Sequence, residues 1–187
     1  MLENVPYCPT LPTRVAEIKA LSQLPAATKD RIFPLIISRP WPNAKHLGRT
    51  WEKIEEAIGN RRFGLDLDIH KKNSSSNKPA AREFDALFES RGGFENYYEL
   101  VEGIPNAIPV LRISNGIAPL VSDQMEHVES MDRGLIVRIE HGEVTNPLDL
   151  IDQILDSIED ISVFIDAGWS RDILSREMWV SSIVDRV

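Results

Sequence analysis

Cysteine is nearly absent from this chain: Cys8 is the single one, so no internal disulfide can brace the fold. A lone thiol inside a predicted strand reads as a small buried side chain, in keeping with a reducing compartment. Long apolar runs are missing as well, since no stretch approaches the roughly 20 residues that span a bilayer. The start MLENVPYCP has neither a basic segment nor a sustained apolar core. The expectation is a cytoplasmic protein with no membrane association. Positive charge is scarce and scattered: 21 Lys and Arg stand against 29 Asp and Glu, for a net charge of −8. That balance argues against a general affinity for nucleic acid, whose partners are basic. No Gly-x-Gly-x-x-Gly or Walker-type loop, no Gly-x-Ser-x-Gly elbow and no Cys/His grouping of metal-site spacing follows any apolar run.

What the chain does have is a repeat. Six short apolar runs, PYCPTL, RIFPLIIS, RFGLDLD, AIPVLRIS, GLIVRIE and SVFID, each end in polar or charged residues and are each followed by a helix-like stretch. The fourth and fifth are apolar on nearly every residue, as parallel strands covered on both faces are. This predicts an α/β fold of parallel (βα)n type, TIM-barrel-like, with six βα units in one domain over residues 1–187. An eight-unit barrel takes about 250 residues, so the expectation is an open sheet or an incomplete barrel. Its first and sixth strands would then present open edges, which predicts a protein partner or a homo-oligomer.

The helical stretches carry ordinary signals. Thr13 is placed to cap a helix bearing Val15, Ile18, Leu21 and Leu24, and residues 44–58 set Leu47, Trp51, Ile54 and Ile58 on one side. The patch HKKNSSSNKP reads as a polar loop. Gln124 to Glu129 read as the polar part of a helix over 122–131, and Asn146-Pro147 reads as a helix start. A last helix carries Ile173, Leu174, Trp179, Ile183 and Val184.

In repeated βα folds ligands bind at the carboxyl ends of the strands. Side chains alternate along a strand, which pairs Asp66 with Asp68, Arg112 with Ser114 and Arg138 with Glu140 on common faces. With Asp166, and with Ser38 and Arg39 nearby, these define a polar mouth above apolar Val110, Ile136 and Phe164. Three chemistries compete for it. Carboxylates could hold a hard divalent cation such as Mg²⁺, the one cofactor the cluster would suit. The arginines could fork onto a phosphate or carboxylate, with Asp68, Glu140 or Asp166 as acid or base. Or the charges pair with one another as a structural ionic network. Trp41, stiffened by Pro40 and Pro42, and Trp169 are each placed to stack on a ligand or to pack on the rim.

The opening YCPTLPTRVAEIKAL, followed by KDRIFPLI, resembles the start of the phage-associated Beta protein family. Its members open with a Tyr-x-Pro-x-Leu strand, a Glu-containing helix and an Arg-Ile-x-Pro-Leu strand. Tyr7, Pro9, Leu11, Glu17, Leu21, Arg31, Ile32, Pro34 and Leu35 occupy those positions, and LDLD and FIDAG are similar to the family's later strands. The resemblance implies a TIM-barrel-like fold and a phage or prophage setting, phage defence included, with no assigned reaction. It also implies a lysine after the first strand and an acidic residue after the second, where this chain has Pro12 and Ile37. The expected function is recognition of a protein partner or a small anionic ligand at the strand-end mouth. The alternative is a hydrolase or lyase acting on a phosphorylated or carboxylated substrate there.

Overall fold

The architecture was taken from a computed structural model, which describes residues 2, 4–72, 78–113, 121–142, 154, 158 and 160–185. The chain divides into two compact units, Leu2–Pro109 and Val110–Val187. Both are mixed α/β with parallel strands, as the repeat predicts.

In the first unit the elements run β1 (Thr10–Pro12), α1 (Val15–Gln23), α2 (Ala26–Lys29), β2 (Leu35–Ser38), α3 (Gly48–Ile58), β3 (Phe63–Leu67), α4 (Pro79–Ala86), α5 (Glu95–Glu102) and β4 (Ala107–Pro109). The strands form one parallel sheet in the order β1-β2-β3-β4. All residues of β2 and β3 are buried, which is why their sequences run apolar rather than alternating. The side chains of Ile54, Ala57 and Ile58 on α3, Phe84 on α4 and Tyr97, Tyr98 and Val101 on α5 are buried. Each of the larger ones contributes roughly 1.5–3 kcal/mol by leaving water. The Tyr97 hydroxyl, buried with its ring, donates to the Leu65 carbonyl at 2.6 Å and fastens α5 to β3.

Two local expectations shift. The first strand was expected from Pro6, but ladder pairing begins at Thr10, because Pro6 and Pro9 have no N–H to donate. The preceding segment still tracks β2's lead-in: Tyr7 bridges Ile32, and the Pro9 carbonyl accepts the Leu35 N–H at 2.9 Å. Thr13 does not cap α1, whose N-cap residue is Arg14 with no side-chain cap bond. The hydroxyl is engaged across the sheet instead.

In the second unit α6 (Val121–Met131) precedes β5 (Leu135–Glu140) and β6 (Ile161–Asp166), which pair in parallel, and α7 (Ile173–Val184) follows, capped by Asp172. Leu135, Ile136, Val137 and Ile139 of β5 are fully buried, and Val110 bridges Ile136 in parallel. Phe164, expected in the core beside Val110 and Ile136, is half-buried, as is the rest of β6. On α7, Ile183 is buried whereas Ile173, Leu174 and Val184 stand exposed. The Asn146-Pro147 helix start and the centre of the polar patch, residues 73–77, lie outside the described residues. Among those described, no helix is long and apolar enough to cross a membrane.

Candidate functional site

Chemistry in the first unit gathers where β2 and β3 end. Arg39 follows the last residue of β2 and is held by its own backbone: its N–H donates to Thr13 Oγ1 at 2.9 Å, and its carbonyl accepts the Thr13 hydroxyl at 3.0 Å. Thr50 on α3 takes the Trp41 N–H at 2.9 Å. Both threonines are buried, so the Arg39–Trp41 turn sits on two satisfied hydroxyls rather than on solvent. Asn43 closes the turn at a φ of 61°, a left-handed conformation that asparagine tolerates better than most residues. Next to it, the Glu83 carboxylate of α4 accepts the Leu47 N–H at 2.6 Å and contacts His46 at 3.0 Å. The backbone donor first, and His46 second, hold its pKa below the usual carboxylate range.

This turn borders a cavity of ≈ 220 Å³ lined by Arg39, Trp41, Asn43, Lys71 and Lys78 together with small apolar residues that include Ala80 and Ala81. Among the described residues three cations line it and no carboxylate does. On a chain of net charge −8, that is a local reversal of sign. Asp68, just past β3, lies behind Arg39 with Oδ2 3.9 Å from Nε, too long for a hydrogen bond. Arg39 Nε is buried and donates no hydrogen bond among the described residues. Asp68 Oδ1 is occupied by the His70 N–H at 3.1 Å, capping the short 3₁₀ turn Ile69–Lys71 that delivers Lys71 to the cavity.

The second unit holds a different cluster. Arg138 and Glu140 share a face of β5, and Glu140 stands in register with Asp166 on β6. Facing like charges are destabilising, and the Arg138 guanidinium lies between them, bonded to Asp166 Oδ2 at 2.6 Å and to Glu140 Oε1. Burial pushes the Asp166 pKa up, but the bond to Arg138, the Gly168 N–H at 2.9 Å and the Arg138 charge together outweigh it and bring the group below its ordinary value. The His141 ring meets Trp179 edge-on, with centroids 4.8 Å apart.

Each expected site residue can now be placed. Arg138, Glu140 and Asp166 meet as the ionic network that was one of the three readings. Asp68 meets Arg39, and Trp41 lines the cavity. Asp66 is buried, with Oδ1 accepting the neighbouring Leu67 N–H at 2.7 Å. Arg112 is buried, and its backbone exchanges two bonds with the Gln124 side chain, at 2.9 and 3.1 Å. Ser114 lies outside the described residues. Ser38 is fully buried, and its hydroxyl finds no partner among the described residues. Among those residues no three His, Cys, Asp or Glu are grouped to hold a metal ion. The sequence reading missed Lys71, Lys78 and Asn43, which a polar patch and a proline-rich turn concealed. It also read Gln124 only as part of the polar stretch of its helix, and the residue is fully buried.

Comparison with known proteins meets these observations at the first two strands. Residues 7–181 match the sequence model of the family described as Beta protein. The chain belongs to the Beta protein family. It is similar to Protein beta of Enterobacteria phage P4, with 31% identity over 172 residues that cover 90% of this chain and 46% of that relative. The chain thus spans less than half of the relative's length. No solved structure matches. Within the Beta protein pattern, the motif residues Tyr7, Pro9, Ile32 and Leu35 form the junction between β1's lead-in and β2. The two departures, Pro12 and Ile37, are register partners, and Ile37 is in turn the register partner of Asp66. Where the resemblance implies a lysine beside an acid, this chain sets two apolar residues side by side.

Proposed function

We propose that this Beta-family chain is a recognition protein of phage or prophage biology whose first unit binds a small anionic ligand, a phosphate or carboxylate group, at the carboxyl ends of β2 and β3. The observation that carries the reading is the cavity wall: Arg39, Lys71 and Lys78, with no carboxylate among the described lining residues. Arg39 Nε, buried and without a hydrogen bond among the described residues, adds a donor suited to an oxyanion. Trp41 supplies an apolar plane against which the rest of such a ligand can lie. Pockets for drug-sized ligands are roughly 300–1,000 Å³, so a cavity of ≈ 220 Å³ suits a small one.

The wider fold reading, a TIM-barrel-like domain over residues 1–187, is supported by the six described strands, which pair in parallel within a four-stranded and a two-stranded sheet with helices between them. A protein partner at the same strand ends remains the counterpart of ligand recognition. The enzyme reading, a hydrolase or lyase on a phosphorylated or carboxylated substrate, is favoured by one contact, Asp68 beside Arg39.

Isothermal titration with inorganic phosphate and with a panel of phosphomonoesters and dicarboxylates tests the proposal. Binding should weaken about tenfold for Lys71→Ala and for Lys78→Ala, and fall with rising salt, as loss of a charged hydrogen bond of about 1.5 kcal/mol dictates. No saturable binding across the panel, or binding indifferent to both substitutions, would refute it. Turnover of a bound ester that Asp68→Asn abolishes would establish the enzyme reading instead.

A further inference from the structure

The second unit carries exposed apolar side chains and a strand edge that, among the described residues, no strand covers. β5 has neighbours on both edges: β6 on one, and on the other the segment where Val110 bridges Ile136 and the Leu111 N–H donates to the Ile136 carbonyl at 2.8 Å. β6 has β5 on one edge and, among the described residues, no strand on the other. All six of its residues are half-buried. The run from Ile161 to Ile165 holds no charged residue, although exposed edge strands are ordinarily guarded by charge, proline or a covering element. Trp169, beyond the end of β6, is 83% exposed, and on α7 Ile173, Leu174 and Met178 are exposed by 72%, 73% and 75%. Four large exposed apolar side chains within ten residues of chain, a tryptophan among them, mark an interface.

We infer that the free edge of β6 and the exposed face of α7 are the docking surface for a further βα segment, one whose strand pairs in parallel with β6 and whose helix covers Ile173, Leu174 and Met178. The occupant is polypeptide corresponding to the part of phage P4 Protein beta that lies outside the match. That relative has more than half its length outside the matched region, since this chain covers 46% of it. Every strand pairing within the two sheets is parallel. A parallel neighbour needs a crossover connection, usually a helix, so the same segment brings both the strand for β6 and the helix for α7. A second copy related by a twofold axis would set β6 antiparallel to itself, against that pattern.

The test mixes this chain with a separately produced polypeptide comprising the unmatched part of the phage P4 relative. A one-to-one complex should appear in native mass spectrometry, with slowed amide exchange over residues 161–165. Alkylation of the thiol introduced by Met178→Cys should slow at least about tenfold on mixing, as burial of an open site requires. The variant Leu174→Lys/Met178→Lys, altered at exposed positions, should keep its circular dichroism and lose the complex. No complex, a complex that leaves β6 exchange and the introduced thiol unchanged, or a homodimer burying the same face would each overturn the inference. Because a separately made segment can fail to fold, the intact relative provides a second measurement. A cysteine at its position aligned with Met178 should react as slowly as in the complex, and rapid reaction there overturns the inference as well.

Discussion

Thr13 and Arg39 exchange two hydrogen bonds through a single hydroxyl, which donates to the Arg39 carbonyl at 3.0 Å and accepts the Arg39 N–H at 2.9 Å. The bond pair joins the end of β1 to the end of β2 as a further rung of the ladder would, with a side chain in place of a strand. It also fixes the backbone from which Arg39 and Trp41 reach the cavity. Thr13→Val keeps the shape and removes both partners, leaving a nearly buried N–H and carbonyl under-satisfied. Chemical denaturation should register a loss of about 2 kcal/mol, and phosphate affinity should fall with it while Lys71 and Lys78 stay in place. Undiminished stability would show that the turn is held by other contacts.

Gln124 performs the same service for Arg112, its amide accepting the N–H at 2.9 Å and donating to the carbonyl at 3.1 Å. The residue is fully buried, so Gln124→Leu strands two polar groups without making a cavity. A loss of about 2–4 kcal/mol is expected in urea titration. Gln124→Glu should cost at least as much, because a carboxylate cannot donate to the Arg112 carbonyl.

The Arg138 network predicts an inversion in pH dependence. Asp166 has a folded-state pKa below its ordinary 3.8, so its contribution to stability is present above that value and is lost as pH falls through the lower, folded one. In Arg138→Ala the facing carboxylates of Glu140 and Asp166 have no cation between them, and the folded pair holds a proton to higher pH than the unfolded chain does. Stability of this variant should therefore fall, not rise, as pH increases from about 4 to 7. Thermal melts across that range check the sign, with a loss of roughly 3 kcal/mol expected at neutral pH.

The row Pro12, Ile37, Asp66 yields a test of the family pattern. Ile37→Glu places a second carboxylate beside buried Asp66 and should destabilise by about 3 kcal/mol or more. Pro12→Lys/Ile37→Glu restores the implied pair and should recover at least about 1 kcal/mol relative to the sum of the single changes. Strict additivity in the double-mutant cycle would show that the two positions do not communicate.

The strands β2, β3 and β5 were legible because burial on both faces leaves a mark in composition: LIIS, FGLDL and LIVRI stay apolar with little alternation. The longer helices were legible to within a few residues from their apolar spacing, whereas the short α2 was not. Roles that depend on distant partners were not. Thr13 carries the signature of a local cap, yet its hydroxyl is taken by a residue 26 positions away. Gln124 sits at a helical position that polarity alone assigns to solvent. The exposure of Ile173 and Leu174 was not legible either, since an apolar helix face looks the same in sequence whether or not something covers it.

The sequence by itself determined the repeat, the parallel pairing, the family and the strand ends as the place for charged groups, because each is written in local periodicity and residue type. Only the tertiary structure decided how those charges are used. It closed Arg138, Glu140 and Asp166 on one another and brought Arg39, Lys71 and Lys78 to the wall of one cavity. The reason is electrostatic: which charges meet depends on ångström separations between residues far apart in the chain, and no pattern along the chain encodes them.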